Sequence, residues 1–77
     1  PEQYDVFADD VHVAYCRLRH GHFRVDVPDC GGTTIYTSEP TGDGVFTDAE
    51  RVTELTNAIL AIQDYYINRR YETGEFA

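Results

Sequence analysis

The chain has 77 residues, fourteen of them acidic and six of them Arg, with no Lys, for a formal net charge of −8 at pH 7. A chain of this length makes one domain that buries roughly 60–65% of its unfolded surface, so its core is small. No apolar run approaches the ~20 residues that span a bilayer and no signal-peptide pattern opens the sequence, so a cytoplasmic domain without membrane contact is expected.

Three readings of the acidity compete. It can be a surface bias of a salt-adapted or GC-rich source, a surface for a basic partner (mimicry of nucleic acid included), or plain solvation. The acidic residues are spread along the chain rather than gathered in one block, which counts against mimicry. Direct nucleic-acid binding is not expected, because neutralising phosphates takes clustered Lys and Arg.

In chain order, Pro1 to Asp10 carries Tyr4 and Phe7, which with Val11 beyond it are spaced to suit a helical turn as well as an extended lead-in. Its Tyr4 and Phe7 are expected to cap one end of the core. Val11 to Leu18 is rich in β-branched and aromatic residues, and Phe23 to Val27 alternates cleanly. A two-residue turn at His20-Gly21, with Gly supplying a positive φ, joins them. That register sets Leu18 opposite Phe23, Cys16 opposite Val25 and Ala14 opposite Val27, all on one face. His12 is then expected on that inner side near Asp29, in a structural role. The other face carries Val13, Tyr15, Arg17, Arg24 and Asp26.

Pro28 to Gly32 is a turn by composition. Thr33 to Ser38 reads as a third strand, with Thr33 opposite Val27, Ile35 beside Val25 and Tyr36 beside Arg24 on the outer face. Glu39 to Gly44 is a loop. Thr47-Asp48-Ala49-Glu50 is a T-x-x-E capping box. It opens a helix running from Thr47 to about Tyr71, with a stop at Thr73-Gly74. Val52, Leu55, Ile59, Ile62 and Tyr66 form its core stripe, and Glu54, Asn57, Ala61, Asp64 and Asn68 its water face. A second stripe includes Leu60 and Ile67. The expected fold is one α+β domain over 1–77, a three-stranded antiparallel meander packed on one long C-terminal helix. The helix is longer than the strands, so Tyr65, Tyr66, Ile67 and Tyr71 are expected to overhang the sheet.

Chemistry is thinly represented. His20-Gly21-His22 offers two imidazoles but no third ligand, Cys16 lies in the expected core, and no nucleophile-elbow or phosphate-loop motif occurs. No catalytic residue, metal or cofactor is expected, and no disulfide between Cys16 and Cys30. The outer sheet face concentrates Tyr15, Arg17, Arg24 and Tyr36, residue types enriched at binding hot spots. With Leu60 and Ile67 they are the expected partner-binding residues. The sequence therefore points to a non-enzymatic, acidic protein–protein interaction module, acting as an inhibitor or regulator of a basic or nucleic-acid-handling protein. The alternatives are a subunit that self-assembles as a homodimer through its helix and, behind it, a small metal-dependent enzyme.

Overall fold

The computed structural model describes the backbone of residues 1–73 and the side chains of residues 1–69. Four strands precede one helix: β1 (Glu2–Ala8), β2 (Val11–Arg19), β3 (His22–Val27), β4 (Thr33–Ser38) and α1 (Asp48–Thr73). The strands form one antiparallel sheet in the order β1-β2-β3-β4, with the helix across one face. The α+β class is as expected, but the sheet has four strands and not three. No helix among the described residues is long and apolar enough to cross a membrane.

The extra strand is the N-terminal segment. Tyr4 and Val6 point at the core while Gln3 and Asp5 point away, a period of two rather than the helical period read from Tyr4 and Phe7. Its hairpin to β2 closes through Asp9 and Asp10, both at positive φ (49° and 70°), the geometry of a type I′ turn. Asx residues tolerate this region better than other side chains, so no Gly marks the turn. Tyr4 packs on the core as expected; Phe7 is 61% exposed and caps nothing.

The β2–β3 hairpin has the expected register, Cys16 opposite Val25 and Leu18 opposite Phe23. His20 and Gly21 form its turn at φ 53° and 74°. Two bulges change what lies beyond it. In β2, Val6 pairs with Ala14 but Phe7 pairs with His12, leaving Val13 as the extra residue. Val13 therefore packs toward the core, and His12 turns outward instead of inward, with Nε2 3.1 Å from Asp5 and Nδ1 3.8 Å from Asp29, the neighbour that was expected. In β4, Asp26 pairs with Thr34 but Val25 pairs with Tyr36, leaving Ile35 extra. A bulge shifts every later side chain by one, so Thr37, not Tyr36, lies opposite Arg24.

The helix begins as its capping box requires: the Glu50 amide donates to Thr47 Oγ1 (3.3 Å) and the Thr47 amide to Glu50 Oε1 (3.0 Å). Glu50 also accepts from the amides of Thr41 and Gly42, so it ties the preceding loop to the helix. The expected stop falls on Gly74, outside the described residues, as does the side chain of Tyr71.

The helix is turned about its axis relative to the expected stripe. Ala58 and Ile62 are buried, and Leu55, Tyr65 and Tyr66 pack beside them, whereas Val52 is 71% and Ile59 43% exposed. Tyr36 is the physical reason. Once the β4 bulge sends it under the helix, its hydroxyl needs polar partners. It donates to Glu54 (2.7 Å) and accepts from Asn57 Nδ2 (3.2 Å), so both residues leave the expected water face. Farther along, the Tyr66 hydroxyl donates to the carbonyl of Val13 (2.6 Å), the residue that the β2 bulge leaves without a cross-strand partner. Tyr65 and Tyr66 therefore lie on the sheet and do not overhang it.

The core is Ala14, Cys16, Leu18, Phe23, Val25, Val27, Phe46, Ala58 and Ile62, each at most 5% exposed. Cys16 is sealed within it, and burial, aided by the charge of Asp26, pushes its thiol up to about 11. Cys30 is exposed, and both thiols are free. Under native conditions a thiol reagent is expected to modify Cys30 within seconds and Cys16 only when denaturant is added. Equal rates for the two thiols would mean that the β2–β3 hairpin opens readily.

Candidate functional site

Two surfaces stand out. The first lies on α1. Turning the helix toward Tyr36 leaves Val52, Ile59, Leu60 and Ile67 on the side away from the sheet, 71, 43, 58 and 50% exposed. Thr56 and Gln63 complete the stripe, also exposed. From Val52 to Ile67 it runs about 22 Å along the helix. Isolated exposed aliphatics are ordinary, whereas these four lie along one side of a single helix. Leu60 and Ile67 are thus brought together with two residues, Val52 and Ile59, that the sequence reading assigned to the core. Nothing in the 3.6-residue period alone separates these two choices, because apolar residues occur on both arcs.

The second surface is the sheet face away from the helix. Tyr15, Arg17 and Arg24 lie there as expected, half-buried. Tyr15 donates to Gln3 Oε1 at 2.5 Å. Tyr36 does not belong with them. It lies on the helix side, where burial first and the Glu54 carboxylate second push its hydroxyl above the usual tyrosine range. Removing Tyr36 from this face leaves Arg17 beside Arg24 as direct cross-strand neighbours, with Arg19 opposite His22 one step nearer the turn.

Below Arg24 sits Asp26, only 2% exposed on a face that is otherwise open. It accepts from the Thr34 hydroxyl (2.7 Å) and the Gly31 amide (3.1 Å). Arg24 Nε lies 3.2 Å from its Oδ2 but off the hydrogen-bond axis, so this contact is between charges.

The strongest ionic cluster holds the fold together. Glu2 receives both arms of Arg51, Nε at 2.8 Å and Nη2 at 3.1 Å, together with the Phe46 amide at 2.9 Å and the Tyr4 hydroxyl. Arg51 above all, and the Tyr4 and Phe46 donors with it, lower the Glu2 carboxyl to about 2. All of these groups are used in joining β1 to α1, so the cluster has no free arm for a ligand.

The two imidazoles of His20 and His22 stand at the hairpin tip, His22 3.4 Å from Glu39. Among the described residues, no group of three or more His, Cys, Asp or Glu gathers around a position for a metal ion. Comparison with protein-family models, with curated proteins and with solved structures finds no match to this chain.

Proposed function

We propose that this chain is a non-enzymatic, cytoplasmic protein-interaction module that docks the outer stripe of α1 into an apolar groove with a basic rim on a partner protein. The stripe itself carries the reading: four aliphatic side chains in line, on a helix whose opposite face already fills the core. A helix read by anchors at i, i+7, i+8 and i+15 is suited to a groove. The net charge of −8 steers the chain toward a positively charged surface and away from a second copy of itself. A basic rim is what a nucleic-acid-handling protein presents, and covering it would make the module an inhibitor or regulator of that protein. The exposed free thiol of Cys30 suits a reducing compartment.

The test is a titration of the purified partner, found by affinity capture and identified by mass, with wild type and with Leu60→Glu/Ile67→Glu. Two charges placed in an apolar contact should weaken binding by at least about a hundredfold. Both residues are exposed, so unfolding free energy should stay within about 0.5 kcal/mol of wild type. Undiminished binding by the double variant would refute the stripe as the contact. A wild-type dimer that the same variant converts to monomers would favour self-assembly instead.

A further inference from the structure

Half of the arginines of this acidic chain meet at one place. Arg17, Arg19, His20, His22 and Arg24 line a single recess of about 150 Å³ at the hairpin end of the outer sheet face. Three of the six arginines and two of the three histidines are there. The strand register builds the cluster: Arg17 faces Arg24 and Arg19 faces His22, so four of the five form a two-by-two grid on β2 and β3. Like charges set directly opposite on a sheet are unfavourable, and fourteen acidic residues could have been placed to relieve them. Among the described residues two carboxylates touch the cluster, Asp26 at Arg24 and Glu39 at His22. Among the described residues no acidic group pairs with Arg17 or Arg19. Arg17 Nε is moreover shut off from water with no acceptor. A buried charged donor without a partner is costly, and an anion in the recess offsets the charge of the guanidinium that carries it.

We propose that this recess is a binding site for a phosphoryl group, free or carried on a small molecule. A planar carboxylate satisfies one guanidinium fork, whereas a tetrahedral dianion can take donors from both strands at once. The recess admits one such group. It is not a track for a polyanion, because Glu39 and Asp43 border the hairpin end and the rest of the chain is acidic. The site lies across the sheet from α1 and does not depend on the docking stripe.

The experiment is a titration of the whole chain with inorganic phosphate, followed by the arginine side-chain N–H signals in NMR and by thermal unfolding. Saturable shifts at Arg17, Arg19 and Arg24, with a rise in melting temperature, are expected. Arg17→Gln/Arg19→Gln should weaken binding at least about tenfold and cancel the rise, while Arg69→Gln, on the C-terminal part of α1, should leave both unchanged. The double variant relieves repulsion, so it should be no less stable than wild type without phosphate. Glycerol phosphate distinguishes the two sources: binding equal to or tighter than inorganic phosphate assigns an ester-borne group, and weaker binding assigns the free ion. Absence of saturation by about 10 mM, or undiminished binding by the double variant, would overturn the site. So would a single-stranded oligonucleotide that binds far more tightly than the monoester.

Discussion

Replacing Phe23 by Ala should cost the fold about 3–5 kcal/mol, a large share of the ~5–15 kcal/mol that holds a small domain together. Phe23 is fully buried and stands where all parts of the molecule meet. Its ring is edge-on to Phe46 of the loop before α1, centroids 5.1 Å apart, and to Tyr36 of β4 at 6.1 Å. Truncation forfeits the transfer free energy of the ring, opens a cavity and removes two aromatic contacts. The sheet is one layer and the helix another, so no third layer can collapse into the gap. Urea denaturation followed by circular dichroism should show a much lower midpoint with a similar slope. Leu60→Ala, in contrast, should move the midpoint hardly at all, since that side chain is 58% exposed. A Phe23→Ala loss below about 1.5 kcal/mol would show that the core is centred elsewhere.

The same contrast between buried and exposed apolar residues shows how far the sequence could be read. The β2–β3 hairpin was legible because two independent signals agree: Gly21 fixes the turn, and the alternation from Ala14 to Val27 fixes the face. The helix start was legible because Thr47 and Glu50 satisfy each other locally, whatever the rest of the chain does. β1 was not, because its turn is made by Asp9 and Asp10, and aspartates at positive φ leave no glycine to see. Bulges are invisible to a period-two reading for a similar reason. Each inserts one residue, Val13 or Ile35, where the sequence carries no turn or breaker.

One of those bulges accounts for most of the difference at the candidate surfaces. It moves Tyr36 from the outer face to the underside of α1. Glu54 and Asn57 are drawn inward to meet it, and the helix turns so that Val52 and Ile59 face out beside Leu60 and Ile67. The docking stripe is thus a tertiary consequence of a β4 irregularity and could not be found from helical periodicity. The basic recess was closer to view. The hairpin register already placed Arg17 beside Arg24, but summing charge over the whole chain concealed a local excess of the opposite sign.

Acid should loosen this fold through two carboxylates whose shares a single substitution can separate. Glu2 and Glu50 are both lowered to about 2 from an ordinary value of 4.5, Glu2 chiefly by Arg51 and Glu50 chiefly by the Thr47 amide, with Thr41 and Gly42 adding to it. A carboxylate depressed in the folded state stabilises the fold fully above its unfolded value. That contribution is lost as protons bind on descent through the folded value. Stability should therefore be level near neutrality, begin to fall at about pH 5 and continue falling to about pH 2. The Glu2 share matters most because its bonds join residues 44 to 49 positions apart: the Phe46 amide and the Arg51 guanidinium close β1 onto the helix start. Glu2→Gln keeps the shape but removes the charge that Arg51 grips. It should lower stability at pH 7 and flatten the acid limb, so that wild type and variant converge near pH 2. Parallel curves, with a constant gap from pH 7 to pH 2, would mean that the Glu2–Arg51 pair contributes through packing alone and that the acid limb belongs to Glu50 and other carboxylates.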